Sequence, residues 1–364
     1  MPRRALSPPP PHTHTPNFFQ QTDRKITIMK KLATLALLIA SFAFTFAAPQ
    51  RVILDTDLGN DIDDALALAM LFNLQKSGAV DIAAILINKD NPLVPEYLGL
   101  LSKYYGAEKI PVGMLKLGTG ATRGEDKYIG KVLRAKNADG SPKYPRPEHT
   151  DVSDSVRLAR SILAASPDKS IAYISIGFST NIARLLQSKP DNISPLSGAQ
   201  LAAKKIKVFS VMAGQFGLSR RVKTFRPEFN VYNDLPAAKF FLENPPAPVV
   251  LSGFEVGEEL TFPQQRIVKF VPETNPLRES YFLYCGTPPH CWGGRLWDLT
   301  SVLYIVNPAA FDISAHGSIA ISETGLTNFT PNKNGLCRYL KIRPNEEHKL
   351  ESIIGTLAVP DSAK

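Results

Sequence analysis

Cysteine and histidine are scarce in this 364-residue chain, with three and six residues, and tryptophan occurs only twice. Three cysteines allow at most one pair. Cys285 and Cys291 bracket the turn-prone GTPPH and could close a small disulfide loop, leaving Cys337 over; the alternative is three reduced, buried thiols. Charge excess is also nearly lacking once the first 47 residues are set aside. The formal net charge is +9, of which residues 1–47 carry +5 through Arg3, Arg4, Arg24, Lys25, Lys30 and Lys31 against Asp23. The remaining +4 is too little for a polyanion groove, so nucleic acid is not an expected partner. There is no internal repeat, and no apolar run suited to a membrane span. The longest, in MKKLATLALLIASFAFTFAAPQ from Met29, has about fifteen apolar residues after two lysines and before small residues, the pattern of a secretory signal peptide. Cleavage fits best after Ala47, with Thr45 and Ala47 as the small pair. The expectation is an exported protein, periplasmic or extracellular, with a signal peptide over 29–47 and one domain over 48–364. Residues 1–28, with SPPPPHTHTP, are low-complexity and read as an upstream extension of the reading frame.

What is present is alternation. RVILD (51–55) precedes a helix with an amphipathic pattern from about Asp61 to Lys76; VDIAAILI (80–87) precedes PEYLGLLSKYYG; IPVGML (110–115) opens a basic, Gly- and Pro-rich loop to about Thr150. A helix (153–165), the strand SIAYISI (170–176), a helix (180–188), the strand KIKVFSVM (205–212), a helix (234–243) and the strand APVVLS (247–252) follow. Strands that are apolar throughout and alternate with helices predict an α/β fold: an open, mostly parallel sheet flanked by helices on both faces. Beyond about residue 312, AHGSIAISETG and GLCRYLKIRP read as small β additions to the same body. The stretch 116–150 is the candidate lid by length and composition.

Ligands of open α/β sheets bind beyond the carboxyl ends of the strands. Those ends carry Asp55 and Asp57, then Asn88, then Thr180 and Asn181 in GFSTNIARLL, then MAGQFG and RPEFNVYND. The first is the densest: ILDTDLGNDIDD holds Asp55, Asp57, Asp61, Asp63 and Asp64. Asp61 reads as a helix N-cap or a polar outer group. Asp57, Asp63 and Asp64 together call for a hard cation with oxygen ligands, calcium being favoured over magnesium for an irregular, many-oxygen cluster. No histidine or cysteine lies nearby, which argues against zinc and copper, and the glycine and closing glutamate of an EF-hand loop are out of place.

The stretch VILDTDLGNDIDDALALAM resembles the N-terminal signature of the nucleoside hydrolases, the calcium-dependent N-ribohydrolase family that prefers inosine and uridine: Asp-x-Asp-x-Gly followed by a close pair of aspartates, here two residues later than in the best-known members. IGFSTNIARLL resembles the family's Gly-x-x-Thr-Asn element, RPEFNVYNDLPAA its Glu-Phe-Asn-x-x-x-Asp element, and LWDLTSVLYIVNP its C-terminal Asp helix. The resemblance spans roughly residues 51–310. It implies a Rossmann-like fold and hydrolysis of the N-glycosidic bond of ribonucleosides to free base and sugar. It also implies Ca2+ held by Asp57, Asp64, the Thr180 backbone carbonyl and Asp298, with Asp57 as general base for a water on the calcium. Asp63, Asn88, Glu228 and Asn230 would bind the sugar hydroxyls. The partners implied are a small N-riboside and, for the chain itself, a homodimer or homotetramer.

The chain departs from the pattern in two places. Trp297 stands where well-known members have a histidine implicated in protonating or positioning the departing base; Trp297 or Trp292 would stack on a base instead, and His290 is the nearest substitute acid in sequence. GLSRRVKTFRPE lacks an asparagine that some members use for the sugar 5′-hydroxyl, and has Arg220, Arg221 and Lys223 as a solvated basic face or as contacts to a more anionic substrate. Two other readings stay open: a secreted calcium- and sugar-binding protein that kept the fold and lost the chemistry, and a haloacid-dehalogenase-like phosphatase, whose motif DTDLGNDIDD fits poorly.

Overall fold

The computed structural model describes residues 48–115, 126–146, 152–287, 290 and 293–361. The expected upstream extension (1–28) and expected signal peptide (29–47), part of the candidate lid, Cys291 and Trp292 lie outside the described residues.

The first half alternates β1 (Gln50–Thr56), α1 (Ile62–Lys76), β2 (Val80–Ile87), α2 (Val94–Tyr105), β3 (Val112–Met114), α3 (Ile129–Leu133), β4 (Ser153–Asp154), α4 (Ser155–Ala165), β5 (Ile171–Ser175) and α5 (Thr180–Gln187). It continues through α6 (Gly198–Lys205), β6 (Ile206–Met212), α7 (Phe229–Asn233), α8 (Leu235–Glu243), β7 (Val249–Ser252), α9 (Phe254–Glu259), α10 (Gln265–Phe270), α11 (Pro276–Cys285) and α12 (Trp297–Val306). The chain closes with β8 (Asp312–Ile313), β9 (Gly317–Ile321), β10 (Thr327–Pro331), β11 (Cys337–Lys341) and α13 (Glu347–Ala358). These strands form one sheet in the order β10-β9-β11-β7-β6-β5-β1-β2-β3-β4, with β8 alongside β11. From β4 across to β11 every neighbouring pair is parallel; β8, β9 and β10 pair antiparallel. The expected mostly parallel sheet with C-terminal β additions is what forms. The addition goes further than expected, because β11 extends the parallel sheet itself, with Cys337 opposite Val249.

Helices cover both faces. One apolar layer joins α1, α2, α11, α12 and α13 to the sheet, and the other joins α4, α5, α6 and α8. Strands covered on both sides must be apolar at every position, which is why Val52, Ile53 and Leu54 are all fully buried. Helix α1 departs from the amphipathic pattern. Ile62 to Phe72 are buried without a break, because α12 and α13 pack over the side that an amphipathic helix would give to water. Only its C-terminal end reaches the surface. The aspartates at its first turn are therefore carried inward by a helix with no wet face there.

Candidate active site

The chain leaves β1 toward β2, β3 and β4 on one side and returns on the other with β5, so the carboxyl ends of β1 and β5 frame a crevice where the strand order reverses. A cavity of about 420 Å³ opens there, large enough for a nucleoside-sized ligand. Eight of the residues singled out in the sequence line it: Asp57, Asp61, Asp63, Asp64, Glu228, Asn230, Trp297 and Asp298. They come from the end of β1, the start of α1, the N-terminal edge of α7 and the start of α12. Asn88 and Thr180 are not among its lining residues.

Asp63, Asp64 and Asp298 each offer one carboxylate oxygen within 4.8 Å of the other two, and all three residues are buried. Their hydrogen bonds are few. Asp63 Oδ2 accepts from the Asp298 backbone N–H at 3.1 Å, and Asp64 Oδ1 accepts from the Thr56 hydroxyl. Burial first, and then the neighbouring aspartates, hold all three carboxyls well above the usual carboxylate range. Asp57 stands at the same cavity, pushed up to about 7 by burial, with Lys89 opposing the rise. Its Oδ2 accepts from Asn60 Nδ2, and Asn60 Oδ1 accepts from the buried Lys89 Nζ at 2.7 Å. Burial lowers the Lys89 ammonium, against the pull of Asp57 and Asp64.

A second layer of polar groups sets the strand ends. Asp55 Oδ1 accepts from Asn88 Nδ2 and Asn181 Nδ2, both at 2.9 Å, and its Oδ2 accepts from the Tyr173 hydroxyl at 2.7 Å. Asn88 Oδ1 in turn accepts from the Phe178 N–H at 3.2 Å, so this amide ties β1 and β2 to the loop after β5. Gly177 in that loop is required by space: a Cβ there would lie 2.6 Å from the Asp57 nitrogen and 2.8 Å from Asn88 Oδ1. Thr180 donates its hydroxyl to Asp234 at 2.7 Å, which joins the Thr-Asn motif to the Glu-Phe-Asn motif. Glu228 caps α7: its carboxylate accepts from the N–H groups of Gly214, Asn230 and Val231, and burial raises it to about 7.

At the rim, Asp61 occupies the N-cap position of α1 but makes no capping hydrogen bond. Its Oδ1 accepts instead from Lys127 Nζ at 3.1 Å and the Tyr284 hydroxyl at 2.5 Å, which makes it the polar outer group of the two expectations. Part of the lining is aromatic, from Phe229, Phe254 and Trp297. Trp297 stacks with Phe254 at 6.0 Å between centroids and 24° between planes, and the Arg226 guanidinium lies 3.9 Å over the far ring. His290 is exposed and does not line the cavity. Cys285 is buried, with its sulfur accepting from the Gly294 N–H at 3.2 Å; its expected partner Cys291 is outside the described residues.

Asn60, Lys127 and Phe254 line the cavity without having been singled out, and Lys89 supports it from behind. Lys89 directly follows Asn88 and Phe254 lies two residues beyond β7, so the rule of reading beyond strand ends reaches both when carried two residues past the strand. The donor set fits a hard divalent cation: buried carboxylate oxygens converging from two helix starts, with few hydrogen-bond donors among the described residues and held up in pKa by burial and then by one another. An ion placed there would remove the repulsion that the fold builds in.

The chain from residue 52 to 347 matches the model of the inosine-uridine preferring nucleoside hydrolase family. Its fold is similar to that of a plant nucleoside hydrolase, with 20% identity, a TM-score of 0.64, and 85% of this chain and 99% of that one covered. It is similarly close to a purine-preferring ribonucleoside hydrolase from Gardnerella vaginalis, at 18% identity, TM-score 0.62, and 85% and 99% coverage. A type III effector, XopQ, solved with adenosine diphosphate ribose, shares the fold at 15% identity and TM-score 0.60, with 86% and 95% covered. No curated protein matches the sequence. The chain belongs to the inosine-uridine preferring nucleoside hydrolase family, at low identity to the members of known structure.

Proposed function

We propose that this family member hydrolyses the N-glycosidic bond of ribonucleosides, or of a closely related N-riboside, with Ca2+ in the aspartate cluster and Asp57 as general base. The observation that carries the reading is the meeting of Asp57, Asp63 and Asp64 with the distant Asp298 around one nucleoside-sized cavity. The family resemblance gives Asp57, Asp64, Asp298 and the Thr180 carbonyl as the ligands, and Asp63, the third acid of the geometric cluster, stands beside them. Bound calcium supplies a charge that offsets the acids, a grip on a sugar diol and a lowered pKa for water beside it.

The chain's own groups do the rest. Asp57, at the cavity wall with one oxygen held by Asn60, takes the proton from water once the cation keeps its carboxylate ionised. Asp63, Glu228 and Asn230 are placed to accept from or donate to sugar hydroxyls, and the carboxylates of the wall stabilise the positive charge that develops on the ribosyl ring. Asn88 acts by fixing Asp55 and the loop after β5. Trp297 offers a π face to the base. Export directed by residues 29–47, and a homodimer or homotetramer, belong to the same proposal; N-terminal sequencing and sedimentation test them.

The test is chromatographic release of base across a nucleoside panel, with and without chelator. Base appears only without chelator, and Asp57→Ala lowers kcat by about 10³-fold or more. Unchanged hydrolysis in that variant refutes the assignment. The absence of a cavity-lining histidine among the described residues favours one second reading, a calcium-dependent sugar binder without turnover. Stoichiometric nucleoside binding in calorimetry with no base released selects it.

A further inference from the structure

Asp57 is held differently from the other acids of the cavity. Asp63 accepts from the Asp298 backbone N–H and Asp64 from the Thr56 hydroxyl, whereas Asp57 is tied through the Asn60 amide to the ammonium of Lys89, two residues beyond β2. All of these residues are buried. The amide has one usable orientation. An ammonium donates and cannot accept, so the Asn60 oxygen must face Lys89, and this turns its NH2 toward Asp57. A cation on the amide oxygen draws electrons from the nitrogen and strengthens the N–H donated to the carboxylate.

The local backbone is built for this reach. Gly59 has φ +109°, and a Cβ there would lie 2.6 Å from Ile129 Cδ1 and 3.6 Å from Lys89 Nζ. Asn60 lies between Gly59 and the acidic pair, the stretch that is two residues longer than the motif it resembles. An apolar side chain in place of Lys89 would fill the same space at less cost in desolvation. Besides its hydrogen bond to Asn60, the ammonium is drawn by the charges of Asp57, Asp64 and Asp126.

We propose that Lys89 and Asn60 are positioning residues for Asp57: the buried ammonium, acting through the amide, fixes one Asp57 oxygen and so sets how the carboxylate faces the cavity. The kinetic consequence rests on the N-riboside hydrolase reading; the geometric consequence does not.

The experiment uses the mature chain with Asn60→Ala, Lys89→Met and the double substitution. With calcium saturating, each single substitution is expected to lower kcat about 10- to 100-fold, with KM within about twofold. The double variant is expected to be no worse than the poorer single one, because the two act through one link. Should Lys89→Met fail to fold, Asn60→Ala, at the cavity wall, carries the test alone. Crystal structures of wild type and Asn60→Ala are expected to differ in the Asp57 side-chain rotamer. Unchanged kcat, fully additive losses, or the same Asp57 rotamer in both structures overturns the proposal. If wild type turns over no N-riboside, the hydrolase reading falls and the rotamer comparison decides the positioning role by itself.

Discussion

Asp191 and the cavity aspartates show two ways in which one residue type is held. Asp191 faces Arg160, a guanidinium with a side-chain exposure of only 2%. Arg160 Nε and one terminal nitrogen donate to the two Asp191 oxygens at 2.9 and 2.8 Å, and its remaining donors reach Ser188 Oγ and the carbonyls of Ser194 and Leu196. Those hydrogen bonds hold the Asp191 carboxyl down at about 2. Among the described residues no guanidinium is paired with Asp63, Asp64 or Asp298, and burial and the neighbouring aspartates hold their carboxyls up instead. A carboxylate that serves the fold is satisfied within the chain; these three are left short, and what they lack is positive charge.

Three predictions sharpen that contrast. The largest effect is expected for Asp298→Asn, which removes one negative charge but keeps an oxygen. It should lower hydrolysis by about 10³-fold and, in chelator, raise unfolding stability by about 1 kcal/mol, read by base release and by urea denaturation. Loss of stability in chelator would show that Asp298 is a structural acid like Asp191. Next comes Arg160→Ala, which should cost about 3 kcal/mol of stability and leave kcat/KM unchanged when assayed well below the new unfolding midpoint.

The third prediction concerns pH. Burial raises Asp55, Asp57 and Glu228 to about 7 in the folded chain, above their values near 4 when unfolded. The folded state therefore binds more protons between those values. In chelator, the stability these groups contribute is complete below about pH 4 and is lost as pH rises through about 7. Calcium favours the ionised acids, so it should flatten that slope and add about 2.7 kcal/mol at one hundred times its Kd near pH 8. Thermal melts from pH 4 to 8, with and without calcium, read both. A slope of opposite sign in chelator would mean that the cavity acids are already satisfied.

Much of this site was legible because its chemistry is concentrated. Five aspartates in ILDTDLGNDIDD have few bland explanations, and the rule of reading beyond strand ends brought Glu228 and Asn230 to the same wall. The fold followed from strands that are apolar on both faces. Other features depend on tertiary contacts that local pattern does not encode. The burial of α1 on all sides is set by α12 and α13, from the far end of the sequence. The pairing of β11 with β7 is invisible in CRYLK, which carries no mark of its neighbour. Two local marks are present in the sequence. Ser197 and Gln200 in SGAQ form a capping box that starts α6, and Lys89 stood next to Asn88. A lysine beside a strand end reads as surface until the acids around it are placed in space.

A crystal structure of residues 48–364 grown with calcium and ribose tests the cation site most directly. The account predicts one ion contacting the carboxylates of Asp57, Asp64 and Asp298, with sugar hydroxyls toward Asp63, Glu228 and Asn230. An ion bound elsewhere, or ribose absent from this cavity at saturating concentration, would contradict it.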